Sequence, residues 1–365
     1  MRYQFYKSKL LVFSQYRPSH KWLLALCGHL TCTTLLATLT ACHTTHPIAT
    51  EQRIESTEMR QQADSFLRAM PVDLQQRQTT AIRKAIDGDN SLLMAVRNAR
   101  NAQPQISENV VISMVSPTLR LYAPKDSERH RLPLLIYLHG GGWTFGSLNS
   151  CGRFCNAIAA TGKIKVLAVD YRLAPEHPFP QGLEDCIAVL TFAHNHAEQL
   201  GILPDHITVG GDSSGGNLAL ATALSASCKS MVESLVLFYP VTKAFADGSA
   251  SWKRYGTGYG LDAEIMDAFN KAYTQKTDAT LPQISMGLCD QKTLRHLPRT
   301  LLVAAGRDIL CDQGLEFAQK ANGRVERKEY TEAVHLFITV PGQDAAFQQA
   351  VTDATDFILK GCSKY

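Results

Sequence analysis

Between residues 207 and 227 the chain places a glycine-bounded serine directly between a short apolar run and a helical stretch, and few folds accommodate that. Ile207–Val209 reads as a strand, Gly211-Asp212-Ser213-Ser214-Gly215 follows with Gly216 behind it, and a Leu/Ala-rich helix comes next. A strand that turns straight into a helix leaves no room for side chains beside the turning residue. The flanking positions are therefore glycine, and Ser213 is lifted off the sheet onto the helix N-terminus. The five-residue pattern alone is weak, but strand before and helix after give it weight.

The same grammar extends over most of the chain. Short apolar runs recur at Val110–Val115, Leu119–Tyr122, Leu134–Leu138, Ile164–Val169, Ile207–Val209, Leu235–Phe238, Leu301–Ala304 and Val325–Tyr330. Helical stretches fall between them at about 150–161, 183–199, 215–227, 312–322 and 343–360. Uninterrupted apolar runs alternating with helices predict an α/β fold: a mostly parallel eight-stranded sheet with helices on both faces. The sixty or so residues between Phe238 and Leu301 are too many for a plain connection. They carry an amphipathic pattern through Leu261, Ile265, Phe269 and Tyr273, so residues 242–296 read as an inserted helical cap. The expected organisation is a targeting segment at 1–42, a tether (43–54) and N-terminal cap helices within 43–108, and a catalytic domain at 109–365. Met59 to Met70 and a single stretch from Leu74 to Ala99 supply the helices of the second part.

A serine hydroxyl is a weak nucleophile until a base stands beside it. With the nucleophile on a turn of this kind, the partners follow in the order serine, acid, histidine. Only His296 and His335 follow Ser213. His296 precedes the run Leu301–Ala304, whereas sites in open α/β sheets lie beyond the carboxyl ends of strands. His335 follows the last run and is the expected base. The acid is expected in Gly306-Arg307-Asp308-Ile309-Leu310-Cys311-Asp312. Asp308 sits in the loop at the strand end, and Asp312 where a helix begins, as its N-cap. Asp308 is thus the choice for fixing the imidazole tautomer. His139-Gly140-Gly141-Gly142-Trp143 follows Leu134–Leu138 at its carboxyl end, where consecutive glycines let backbone N–H groups crowd a developing negative charge. The turn at Ser213 adds the N–H of Ser214.

These pieces together resemble the hormone-sensitive-lipase-like family of α/β-hydrolase serine esterases, many of them bacterial. The matching stretches are HGGGW at 139–143, DYRLAPEHPFP at 170–180, GDSSGG at 211–216, Asp308 in GRDIL and His335 in AVHLF. The resemblance implies an esterase with no metal or organic cofactor, acting on small-molecule carboxylic esters of short to medium acyl chain. It also implies Gly141, Gly142 and Ser214 as oxyanion donors. The chain departs from the family pattern at Ser214, where alanine is usual, and at Leu336, where glycine is frequent. The same machinery serves amides and peptides, and a non-catalytic binding protein on the fold is the alternative of another class. Asp170, Arg172 and Glu176 are expected to form one structural polar network beneath the site. His177 precedes the nucleophile and is excluded as base.

Composition narrows the partners. Residues 1–42 carry Arg2, Lys7, Lys9, Arg17 and Lys21 and no acid, and taking these five from 37 leaves 32 basic residues against 33 acidic. A near-neutral remainder excludes a nucleic-acid partner. The basic start, an apolar run from Trp22 to Ala41 and the closing Leu39-Thr40-Ala41-Cys42 have the layout of an export signal ending in a sequence that resembles a bacterial lipobox. Cys42 is then the expected lipidation site. His43 in place of aspartate favours the outer membrane by resemblance to lipoprotein sorting rules; the alternative is an inefficient or uncleaved segment, with the enzyme staying at the inner membrane or in the cytoplasm. Of the ten cysteines, the seven that follow Cys42, at irregular spacing, read as buried thiols rather than a disulfide framework. Gly256, Gly258 and Gly260 follow no strand, and His194 and His196 point apart on a helix, so neither set reads as a ligand site.

Overall fold

The computed structural model describes residues 51–362. The export segment and Cys42 lie outside the described residues. The chain opens with a strand, β1 (Glu51–Ile54), and three helices, α1 (Thr57–Ala69), α2 (Leu74–Ile86) and α3 (Ser91–Ala99). A hairpin follows, β2 (Val110–Ser116) and β3 (Leu119–Pro124), then β4 (Leu132–Leu138), α4 (Gly152–Ala160) and β5 (Lys165–Val169). Next come α5 (Gln181–Asn195), α6 (Ala197–Leu200), β6 (Ile202–Asp212), α7 (Ser214–Leu224) and β7 (Ser234–Phe238). The insertion carries α8 (Ala250–Tyr255), α9 (Ala263–Thr274) and α10 (Gln291–Leu294). The chain closes with β8 (Arg299–Arg307), α11 (Cys311–Lys320), β9 (Val325–Val334) and α12 (Asp344–Cys362).

The strands form one sheet in the order β1-β9-β8-β7-β6-β4-β5-β3-β2, parallel except where β3 meets β5 and β2. It has nine strands, not eight. The ninth is β1, inside the stretch expected to be a tether. Its sequence EQRI is polar and its residues are largely exposed. Parallel pairing of Glu51–Ile54 with Arg327–Tyr330 holds it through the backbone, so no apolar run announces it. The expected single helix from Leu74 to Ala99 is two helices, because Gly88 takes φ 101° and turns the chain.

Alternation along β4 shows how the sheet is buried. Leu134, Ile136 and Leu138 join the core that α5, α7 and the cap cover, while Leu135 and Tyr137 face the core under α4 and α12. Helix α7 has ten buried residues, Ser214 through Ala223, and its small side chains let it lie close against the sheet. The N-terminal helices and the insertion meet: Arg83 of α2 pairs with Glu264 of α9 at 2.9 Å, and Gln75 Oε1 accepts from the Asp262 N–H at 2.8 Å. Asp262 is the residue before α9, so Leu261 packs from the loop rather than from the helix. No helix among the described residues is long and apolar enough to cross a membrane.

Arg327 on β9 is 1% exposed and bonds Glu51 of β1 at 2.6 Å and Glu329 at 2.9 Å. Removing one partner of a buried pair leaves a charge without compensation. Arg327→Leu is therefore expected to cost about 3–5 kcal/mol, and Glu51→Gln, at a half-exposed edge, under about 1 kcal/mol. Urea unfolding of the two variants measures this, and equal losses would contradict it.

Candidate active site

The parallel register delivers the chemistry to one edge. Leu138 pairs with Gly211, Asp212 with Phe238 and Arg307 with Val334. The segments after β4, β6, β8 and β9 consequently leave the sheet side by side. Ser213 takes φ 52° and ψ −118°, a strained conformation for a residue with a side chain. The strain is enforced by neighbours. A Cβ on Gly211 would come within 2.5 Å of Leu138 O and of the Gly215 carbonyl carbon, and one on Gly215 would strike Leu138 O.

The structure brings Ser213, His335 and Asp308 into one hydrogen-bonded line. His335 Nε2 lies 3.1 Å from Ser213 Oγ, and Nδ1 lies 2.6 Å from Asp308 Oδ2. Asp308 Oδ1 also accepts from the Leu310 N–H at 3.2 Å. All three side chains are buried. The His335 loop is pinned by Gln343, which accepts from the Val334 N–H at 3.0 Å and donates to His335 O at 3.1 Å. Tyr239 lies beside the imidazole, ring centroids 4.4 Å apart, and its hydroxyl accepts from the Ile338 N–H. Leu336 adopts φ 74°, which accounts for glycine being frequent at this position in the family it resembles.

Asp312 is in the first turn of α11 and is not its N-cap, which is Leu310. Its carboxylate accepts from the Ser251 N–H at 2.7 Å instead, tying α8 of the insertion to α11.

In the 139–143 loop a Cβ on Gly141 would lie 2.6 Å from Phe145 O, and one on Gly142 would run into the Phe269 ring. The carbonyl of Gly141 accepts from Thr144 and Phe145 N–H, whereas no partner is found among the described residues for the N–H groups of Gly141 and Gly142. Gly141 and Gly142 line the pocket that holds Ser213 and His335. Trp143 stacks on Tyr273 of α9 at 4.3 Å and so fastens the loop to the cap. His139 is buried against Tyr171, and burial pushes its pKa down, which keeps it neutral. Its Nδ1 meets Gly140 O at 2.9 Å, and Tyr171 donates to its carbonyl at 2.6 Å. His139 holds the loop's shape.

Asp212, to which the sequence reading gave no role, lies at the joint. Its Oδ1 accepts from the Gly140 N–H at 3.0 Å and from the Tyr137 hydroxyl at 2.9 Å, linking the glycine loop to the Ser213 turn. Its place next to Ser213 and after a buried strand was the available signal. The single polar network expected of residues 170–176 is instead three separate ties. Arg172 holds Asp185 and Gln181 of α5, Glu176 takes both Arg97 amino groups of α3, and Asp170 lies 3.9 Å from His139 Nε2. The loop crosses an edge where different elements converge, so each charge meets its nearest neighbour.

His177 bonds Gln181 and His196 bonds Phe192 O, both away from Ser213. All seven described cysteines are free thiols, six of them buried. His206, Glu233 and Cys362 bring ligand atoms within 4.8 Å of one another. Glu233 is already engaged by His206 at 3.1 Å and lies 3.7 Å from Arg299.

Residues 135–339 match the α/β hydrolase fold family, and the chain belongs to that family. It is 36% identical to the carboxylic ester hydrolase LipN of Mycobacterium tuberculosis over 194 residues, 51% of each chain. It is 35% identical to the carboxylesterase NlhH of the same organism over 232 residues, 60% of this chain and 70% of that one. The chain spans about half the length of LipN and under two thirds of a lipase of Moraxella, 63%. Among solved structures, an esterase of Pyrobaculum calidifontis superposes with a TM-score of 0.66 at 29% identity, covering 84% of this chain and 98% of that one. An esterase of Rhizomucor miehei gives 0.68 at 26% identity, covering 85% and 98%.

Burial raises the Asp212 pKa to about 6, against the pull of its two hydrogen bonds. A raised carboxylate pKa means the folded state holds the proton to higher pH than the unfolded chain does. This group therefore costs stability as pH rises from about 4 through 6, on the order of 2–3 kcal/mol in all. Asp212→Asn, neutral at every pH, is expected to gain melting temperature over the wild type at pH 8 and roughly half as much at pH 5. A difference constant between the two would overturn the reading.

Proposed function

We propose that the protein is a serine carboxylesterase hydrolysing short- to medium-chain carboxylic esters through an acyl-enzyme. The observation that carries this is the Ser213–His335–Asp308 line with Ser213 at the strained turn. Ser213 Oγ attacks the ester carbonyl while His335 Nε2 takes its proton. Asp308 holds Nδ1–H and stabilises the imidazolium without being protonated itself. The N–H groups of Gly141, Gly142 and Ser214 receive the oxyanion. Collapse expels the alcohol, which takes the proton from His335. Water then repeats the sequence, forming the acid and freeing Ser213. The ester-hydrolase names of the relatives agree with this chemistry, and the space at Ser213, about 50 Å³, suits a small acyl group.

Ser213→Ala is expected to lower turnover of a simple ester by roughly 10⁴- to 10⁶-fold and Asp308→Asn by about 10⁴-fold, with Asp312→Asn nearly silent. Steady-state kinetics on an acyl-chain series, with the matched anilide of the best ester, tests the nucleophile, the acid and the preference for esters over amides together. Reversed effects at Asp308 and Asp312 would require a different acid.

We further propose that residues 1–42 direct export and that Cys42 carries the lipid that holds the enzyme at a membrane surface, the outer membrane being favoured by His43. The support is the basic start, the apolar run and Leu39-Thr40-Ala41-Cys42. Two acyl signals suffice for stable anchoring of an otherwise near-neutral domain. Intact-mass analysis of the native protein is expected to find a chain beginning at Cys42 with added acyl mass, both lost in Cys42→Ser. A native protein retaining Met1 through Ala41 would overturn this proposal.

A further inference from the structure

The space in front of Ser213 has two compartments. The inner one, about 50 Å³, is bounded by Gly141, Gly142, Phe145, Ile265 and Phe269. The outer one is a groove of about 1090 Å³ between α1, α2, α3 and the loop 336–341. Met70, Leu74, Gln78, Arg100 and Leu336 line both compartments and so form the neck between them. Three of these five are apolar. Gln78 and Arg100 are not, and their polar groups are unspent.

Gln78 sits on α2 at 6% exposure, and its amide has no hydrogen-bond partner among the described residues. Arg100 closes α3, and among the described residues its guanidinium has neither a hydrogen bond nor a carboxylate within ion-pair distance. Its one resolved neighbour is the Phe145 ring, with Cζ 5.5 Å from the centroid. The structural work of an arginine at this helix end is already done by Arg97, which holds Glu176 and the carbonyls of Thr144 and Ala174. Asp212 is the buried acid nearest in effect to Arg100, and its Oδ1 is committed to Tyr137 and Gly140.

The amide and the guanidinium open onto the same neck with no protein partner among the described residues, so only water or a ligand can complete their hydrogen bonds. The guanidinium fork matches a carboxylate through two parallel hydrogen bonds. One positive charge in mostly apolar surroundings balances a monoanion, whereas a phosphate dianion would leave charge over. We propose that Arg100 and Gln78 form a carboxylate subsite, and that the preferred substrates are esters bearing a free carboxylate a few bonds from the scissile carbonyl. This rests on the esterase reading and narrows its substrate class. The carboxylate belongs to either the acyl or the alcohol part, and the two are separable by experiment.

For the acyl side, para-nitrophenyl hydrogen adipate is compared with para-nitrophenyl hexanoate. For the alcohol side, para-acetoxybenzoate is compared with its methyl ester. The wild type is expected to favour the carboxylate member of one pair by roughly 10- to 100-fold in kcat/KM, mainly through KM. In Arg100→Met that ratio should collapse towards one, with Arg100→Lys keeping part of it and Gln78→Leu losing part. A ratio near one in the wild type, or a ratio unchanged by Arg100→Met, overturns the subsite while leaving the esterase intact. If no ester of either kind is turned over, the esterase reading fails by itself. Calorimetric titration of Ser213→Ala with adipate then still reads the subsite: binding that disappears in Ser213→Ala/Arg100→Met supports it, and no binding, or binding indifferent to Arg100, overturns it.

Discussion

The backbone of Leu138–Gly140 and the turn Gly211–Gly215 lie against each other with no side chain between them, and the site depends on that contact. Parallel pairing brings Leu138 level with Gly211, so the two segments leave the sheet together. A methyl group on Gly211, Gly215 or Gly140 would meet the opposite backbone or the Asp212 carboxylate. Only with all three positions bare can the loop that carries Gly141 and Gly142 come down beside the turn that carries Ser213. Asp212 then fixes the distance by holding the Gly140 N–H and the Tyr137 hydroxyl on one oxygen. The strain at Ser213 and the cost of burying Asp212 are offset by the packing of α7, whose residues Ser214–Ala223 are all buried.

Electrostatics is divided between the two sides of this contact. His335 has Asp308 on Nδ1 and Ser213 on Nε2, an arrangement that needs one defined tautomer. His139, four residues from Trp143 in the loop, has no second polar partner at hydrogen-bond distance on Nε2 among the described residues and is held neutral by burial. Two buried histidines thus differ by their neighbours: one sits between a hydroxyl and a carboxylate, and the other only carries backbone.

How much of this the sequence disclosed follows from how local each signal was. The meeting of Ser213, Asp308 and His335 was legible because each sits just past an apolar run, and the ends of parallel strands converge on one edge of the sheet. The edge strand β1 was not legible, since backbone pairing and ion pairs to Arg327 and Glu329 leave no periodic apolar trace in EQRI. The break at Gly88 was hidden because the apolar spacing continues across it from Ile82 to Leu92. Asp312 looked like a cap by its position, but its carboxylate reaches Ser251, sixty-one residues earlier, a contact no local pattern encodes. The same holds for Asp170, Arg172 and Glu176. Their clustering in the chain suggested one network, and the converging elements gave each a different partner.

The helical cover explains why the chemistry and the selectivity were not equally readable. It is built from two separated stretches, residues 57–99 and the insertion with α8 and α9, joined by Arg83–Glu264 and Gln75–Asp262. Each also grips the machinery below: Arg97 holds Thr144 and Glu176, Trp143 stacks on Tyr273, and Phe269 fills the space over Gly142. The cover therefore steadies the glycine loop 139–143 while forming the neck above Ser213. A residue such as Gln78 is read from sequence as one more polar position on an amphipathic helix. Only the packing of α2 against α9 turns it towards the neck, a placement set by contacts between segments far apart in the chain.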